Sequence, residues 1–348
     1  MQADEQDTTQ GKELEDHSQW WRRAAIAVMV VALIYASFVV NIPIFFEYLP
    51  GPVRDVESLI HVTGAPTYSS QGHLYLTTVY IDVSVTLANV VESLFRSDQT
   101  IVLRQQVTGG QSIPQLLHEN RQMMDSSQKQ AEAAVLPRLN LGHPTGDGAQ
   151  IEATAPGSPS QDVLRKGDVV VAVDGHKVDT TCAAGRLVQA RSVGDVIALT
   201  VERDGSRKQV SIKVASNPQD PRAPYLGVVW QDVHYRFHPQ VHVSFATGRI
   251  VGPSAGLLLA LSLYDKLTPG DLTGGRKIAG TGTIQCDGAV GPIGGIQQKV
   301  SAAQSQGAQI FLAPDSEAKD ALAVAHDIKV VPISSFDGAV NYLENLNR

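Results

Sequence analysis

Cysteine is nearly absent from this sequence: Cys182 and Cys286 are the only two, about a hundred positions apart in what read as different domains. That spacing predicts no disulfide framework. Positive charge is not in surplus either, with 28 basic against 35 acidic residues and a net charge of −7. Nucleic acid and anionic membrane surfaces are therefore disfavoured as main partners. No CxxC pair, EF-hand loop or HExxH motif occurs. The nearest approach to a phosphate-binding loop, residues 270–275, runs into Arg276-Lys277 instead of Lys-Ser/Thr, so no nucleotide site is expected. His234, His238 and His242 have the i, i+4, i+8 spacing that would align metal ligands on a helix, but Pro239 breaks that helix. On a strand, each step of four residues separates them by about 13 Å. They are expected to be ordinary strand histidines, and neither metal nor cofactor is predicted.

Long apolar runs are also scarce, which gives weight to the one over residues 24–46, interrupted only by Ser37, Asn41 and Pro43. At about 1.5 Å per helical residue it is long enough to span a bilayer. Trp20 and Trp21 suit the interface, and Arg22 and Arg23 flank the N-terminal side with only Arg54 soon after the run. The positive-inside rule then predicts an uncleaved, single-pass anchor in the cell membrane, with a cytoplasmic N-terminus and the bulk of the chain extracytoplasmic. Residues 1–19 are polar and acidic without apolar periodicity, and are expected to be a disordered tail. Beyond the anchor, residues 74–83 are rich in β-formers, residues 88–96 mix apolar and polar side chains as a helix would, and residues 119–134 read as an exposed or partner-packed helix. None of these carries evident chemistry.

From residue 149 the pattern changes to short strands and turns. The run PGSPS…LRKGDVVVAVDG…GDVIALTVERDG, with its two Gly-Asp and two Asp-Gly turns, resembles a PDZ domain of bacterial envelope proteases. The resemblance implies docking of extended peptides along a strand edge. Residues 143–148, where the carboxylate-holding loop was sought, lack the Gly-apolar-Gly-apolar pattern, so a structural or interdomain role is the competing expectation. The proline-punctuated stretch 217–222 is expected to be a linker.

Two later motifs carry chemistry. In Gly252-Pro253-Ser254-Ala255-Gly256 a glycine-bounded turn opens an apolar helix and places a serine at its first turn. Proline near the first helical position leaves backbone N–H groups unpaired there, suited to an oxyanion. The competing reading is a serine that merely caps a core helix. Forty-five positions on, Val290-Gly291-Pro292-Ile293-Gly294-Gly295-Ile296-Gln297-Gln298-Lys299 sets a lysine one turn inside a helix among Ile293, Ile296 and Val300. Burial would lower its pKa from about 10.4 toward roughly 7 or 8, which a general base for serine needs near neutral pH.

Together the two motifs resemble the proteolytic domain of the Lon protease family over about residues 225–345. The resemblance implies Ser254 as nucleophile and Lys299 as general base, with Gly252 and Pro253 shaping the turn. It also implies that the Thr281 hydroxyl helps to hold the lysine amine. Many members have an acidic residue two positions before the proline, where this chain has Val251.

The order of segments, without an ATPase module, is similar to that of PDZ-containing, membrane-anchored Lon-like proteases of bacteria. The expected fold is α+β and multidomain. It comprises a tail (1–19), a transmembrane helix (20–46), a membrane-proximal strand and helix region (47–140), a PDZ-like β domain (141–216) and a Lon-type α/β proteolytic domain (222–348). The implied function is a serine endopeptidase working without nucleotide on flexible polypeptide segments or exposed tails of membrane proteins. Analogy with Lon-type rings implies a homo-oligomer, a hexamer in that family. The alternative is a PDZ peptide-binding scaffold with a silent Lon-like domain; a small-molecule hydrolase fits a PDZ domain poorly.

Overall fold

The computed structural model describes residues 4–218 and 223–347, with side chains from Trp20 onward. The elements used below are, in chain order, helix α1 (Asp4–Val39), strands β1 (Phe45–Asp55) and β2 (His73–Asp82), helix α2 (Leu87–Ser93), strand β3 (Thr100–Leu103) and helix α3 (Ile113–Val135). There follow strands β4 (Ala149–Thr154) and β5 (Val169–Val173), helix α4 (Thr181–Gln189), and strands β6 (Val196–Arg203), β7 (Ser206–Lys213) and β8 (Val228–Asp232). The last part holds helix α5 (Gly256–Leu267), strands β9 (Lys277–Gly280), β10 (Thr283–Ile284) and β11 (Val290–Gly291), helix α6 (Ile296–Ser305), and strands β12 (Ile310–Pro314) and β13 (Lys329–Ile333). The chain forms two compact units, Met1–Leu49 with Ile81–Gly110, and Pro50–Tyr80 with Gln111–Arg348.

In the first unit, α1 includes a 20-residue apolar stretch, Trp20–Val39, none of it buried, which is long enough to cross a membrane. The helix stops at Val39, short of the expected residue 46, because Pro43 cannot continue a helix and disfavours helical backbone at Ile42. At its other end the backbone is already helical from Asp4, where an unstructured tail was expected. An existing helix extends at low cost. Residues 1–3 lie outside the described residues. The first residues of β1 pair antiparallel with β3, Phe45 opposite Leu103 and Tyr48 opposite Thr100.

Two larger sheets organise the second unit, alongside several two-stranded ladders. One has β2 and β9 side by side and parallel, followed by parallel β12 and β13. Helix α5 lies in its core, with Leu257, Leu258, Leu259 and Leu261 fully buried, each worth roughly 1.5–3 kcal/mol. Helix α3 packs on it through Met124, Ala131, Ala134 and Val135. The polar helix expected over 119–134 is thus part of this core, its small and apolar residues forming the buried face.

The other sheet has the order β7-β6-β5-β4-β8. Its hairpin from β6 to β7 turns on Asp204 and Gly205, both at positive φ as a two-residue turn requires. The edge strand β8 comes after the proline-punctuated stretch, and its residues 228–232 pair antiparallel with β4 at the edge of this sheet.

Cys182 on α4 and Cys286 in the turn between β10 and β11 form a disulfide with Cα atoms 5.4 Å apart. No disulfide framework was expected, and the fold adds this one bridge. Sequence separation says nothing of the tertiary approach that makes the pairing possible. The same joint packs Gly185 against Asp287, while Arg138 donates to the Asp287 carbonyl and pairs with Asp337. Burial raises the Asp287 carboxyl above the ordinary range, with Arg186 and Arg138 opposing.

Candidate active site

The serine motif forms a short 3-10 turn, Pro253–Ala255, that runs directly into α5. Its backbone is held from two sides. The Gly252 N–H donates to the Asn120 carbonyl on α3 (2.8 Å), and the Ser127 hydroxyl of the same helix donates to the Pro253 carbonyl (3.1 Å). From the other side, the Gly282 N–H donates to the Ser254 carbonyl (2.9 Å), and the Leu257 N–H donates to the Gly282 carbonyl (3.0 Å). Gly256 makes this closeness possible: a Cβ there would sit 2.7 Å from the Ile284 side chain and 2.8 Å from the Ser127 hydroxyl.

Counting donors along the turn narrows its chemistry. The amides of Gly252 and Leu257 are engaged as above, and that of Gly256 donates to Pro253. Proline has none, and in a 3-10 turn the Ala255 amide has the Gly252 carbonyl as its acceptor, so Ser254 supplies the amide at the open end of the turn for which helical geometry provides no acceptor.

Lys299 lies on the first turn of α6 and is 3% exposed. Glycine at position 295, in the left-handed region, starts that helix sharply. The ammonium donates to the Thr281 hydroxyl (3.1 Å), which in turn donates to the Ser254 carbonyl (3.1 Å). Thr281 itself is fully buried. Ser254, Thr281 and Lys299, the three chemical residues read from the sequence, therefore stand on one hydrogen-bonded path. Burial pushes the lysine down to about 8, and the nearby Glu317 carboxylate partly offsets this. Glu317, which sequence reasoning passed over, also accepts the Ile293 N–H (2.9 Å) in the loop leading to α6. No sequence signal set it apart from other acidic residues of a surface turn. Asn120 and Ser127 were passed over for a similar reason, since they sit in a polar, glutamine-rich helix.

The three histidines are not brought together. His234 lies in a turn against Asp147 (2.7 Å), His238 pairs with His143 in a short antiparallel ladder, and His242 pairs with Thr63 in another.

On the PDZ sheet, Tyr225-Leu226-Gly227-Val228 leads into the edge strand β8. Its carbonyls are fixed inward: that of Leu226 accepts the Ser160 hydroxyl (2.6 Å), and that of Gly227 accepts the Ala155 amide (2.7 Å). The Asp232 carboxylate at the end of β8 accepts the Thr181 N–H at the start of α4, tying helix to strand. This run, unlike residues 143–148, has an apolar-Gly-apolar pattern and opens an edge strand. The signal was present, but beyond the stretch taken as a linker.

Comparison with known proteins finds two families in the chain. A profile of the Lon protease (S16) C-terminal proteolytic domain matches residues 211–342, and a PDZ domain profile matches residues 127–214. Lon protease of Vibrio parahaemolyticus is 31% identical over 157 residues, covering 44% of this chain and 18% of that protein. Lon protease of Buchnera aphidicola is 30% identical over 139 residues, covering 39% and 16%. The chain thus spans less than a fifth of the length of these curated relatives, whose matches include its C-terminal part. Among solved structures, the PDZ domain of the SdrC-like protein from Listeria monocytogenes is 22% identical with a TM-score of 0.23, covering 25% of this chain and 90% of that one. The chain is an α+β protein with an N-terminal apolar helix, a PDZ domain and a Lon-type proteolytic domain. Such a proteolytic domain implies serine peptidase activity.

Proposed function

We propose that this chain, a PDZ domain joined to a Lon-type proteolytic domain behind an apolar N-terminal helix, is a membrane-anchored serine endopeptidase that cleaves polypeptides through Ser254 and Lys299. The observation that carries the proposal is the buried lysine amine, with a pKa of about 8, hydrogen-bonded through Thr281 to the backbone carbonyl of Ser254 and so held at the serine turn. A lysine that only snorkelled from a helix surface would keep its charge in water.

In this reading neutral Lys299 takes the proton from the Ser254 hydroxyl as the oxygen attacks the scissile carbonyl. The Ser254 amide, at the open start of the helix, stabilises the oxyanion. The lysine ammonium then gives its proton to the departing amine, leaving an ester on Ser254. Water, deprotonated by the same lysine, hydrolyses that ester and restores both groups. Thr281 keeps the amine directed and the turn in place.

The free edge of β8, headed by residues 225–228, suits an extended peptide added to the sheet. An extracytoplasmic location is supported by the arginines before the apolar helix and by the Cys182–Cys286 disulfide, which persists in oxidising compartments. Assembly as a homo-oligomer completes the proposal, by analogy with Lon-type rings.

The test is mass spectrometry of a mixed peptide library incubated with the chain and, in parallel, with its Ser254→Ala variant. Cleavages confined to the unsubstituted chain support the endopeptidase. Identical cleavage by both overturns the assignment of Ser254, and no cleavage by a folded, assembled sample moves weight to a PDZ scaffold.

A further inference from the structure

The segment that follows the apolar helix leaves a stripe of large apolar side chains uncovered. Leu87 and Val91 on α2 are 51% and 49% exposed, and Leu94 and Phe95 in the turn after it are 76% and 83% exposed. Single exposed residues of this kind need no explanation. These four fall at i, i+4, i+7 and i+8, the spacing of one helical face. No residue of α2 is buried.

The position of this stripe is fixed by its ties to the end of α1. The Ile42 N–H donates to the Val85 carbonyl (2.7 Å), and Asn41 bridges to Thr86, the residue that caps α2. Ser37 and Phe38, in the last turn of α1, share a shallow cleft with Leu87, Ala88 and Val91. Helix α2 therefore lies beside the final turn of the apolar stretch. Whatever solvent surrounds Phe38 also meets Leu87 and Val91.

We propose that Leu87, Val91, Leu94 and Phe95 form a foot that sinks into the boundary between headgroups and acyl chains where α1 leaves the bilayer. This rests on reading α1 as a membrane anchor. The occupant of the face is lipid because the face continues the side of a helix that is itself apolar and uncovered. The charges on the segment do not suggest attraction to anionic headgroups: Arg96 is paired with both Glu92 (3.3 Å) and Asp98 (2.9 Å). Apolar burial sets the depth, so binding is insensitive to added phosphatidylglycerol.

The two native cysteines are paired, which leaves an introduced thiol as the single labelling site. An environment-sensitive fluorophore is placed by Phe95→Cys, with Leu94→Cys as a second probe of the foot. Val31→Cys in the middle of the apolar stretch and Asp162→Cys on the PDZ surface serve as references. The full chain is reconstituted in phosphatidylcholine vesicles with and without brominated acyl chains. Loss of most of the emission at positions 94, 95 and 31, with none at 162, is the expected result. Quenching at 31 alone overturns the foot and leaves the anchor standing. Blue-shifted but unquenched emission at 94 and 95 assigns the face to a second copy of the chain and also overturns the proposal. Absence of quenching at 31 refutes the anchor, and the foot with it.

Discussion

Replacing both Cys182 and Cys286 by serine removes a cross-link between residues 104 positions apart. On the chain-entropy relation a loop of that size restricts the unfolded chain by about 4.7 kcal/mol at 25 °C, and native bridges typically contribute about 2–4 kcal/mol. The folded joint keeps its other contacts, because Arg138 still reaches Asp337 and the Asp287 carbonyl, and Asp287 still packs on Gly185. The loss should therefore arise mainly in the unfolded state. We expect the double variant to unfold with about 4 kcal/mol less stability in guanidinium, followed by circular dichroism, and the unsubstituted chain under reductant to match it. Alkylation without reductant, read by mass, should find no free thiol in the unsubstituted chain. A stability loss below about 1 kcal/mol, or two thiols alkylated in the native protein, would refute the reasoning.

Cleavage should rise with pH through a limb near 8, because only the neutral Lys299 amine accepts the serine proton; a pH profile of kcat/KM that is flat from 6 to 9 contradicts this. Glu317→Gln removes the charge that favours the ammonium while keeping an oxygen for the Ile293 amide, so the limb should move to lower pH, and an alkaline move would exclude the electrostatic role. Lys299→Met should abolish cleavage yet stabilise the fold at pH 7. The displacement from 10.5 to about 8, at 1.36 kcal/mol per pH unit, amounts to about 3 kcal/mol. The unfolded chain binds the extra proton between those values, so stability of the unsubstituted chain should climb with pH across that window, and calorimetry should show this lysine-dependent component absent in the variant. Gly256→Ala should cost roughly 1–3 kcal/mol, measured by thermal unfolding, because its methyl collides with Ile284 and Ser127.

The serine turn and the lysine helix were readable because each is written in local backbone chemistry: a proline and glycines around Ser254, and paired glycines before Ile296. The Asp-Gly hairpin, the apolar stretch and the buried leucines of α5 were legible for the same reason. What escaped depends on tertiary approach. Nothing in the spacing of Cys182 and Cys286 indicates that α4 meets the turn after β10. Strand β8 lies beyond a proline-rich stretch that reads as a boundary, although it pairs with β4 at the sheet's edge. The polar composition of α3 concealed that Asn120 and Ser127 brace the serine turn.

The supporting shell also explains why the motif alone leaves its chemistry open. A Gly-Pro-Ser-Ala-Gly turn on a solvated helix would present the same hydroxyl with no base able to ionise it. Here Thr281 follows directly on β9, whose position between β2 and β12 buries the lysine. The lowered lysine pKa belongs to that assembled core, since desolvation is its principal cause. A substitution that loosens the packing of α3 on α5 without touching the dyad should let water in and raise the lysine pKa toward its ordinary value. On the proposed mechanism the sheet and α3 are therefore as much a part of the base as Lys299 itself.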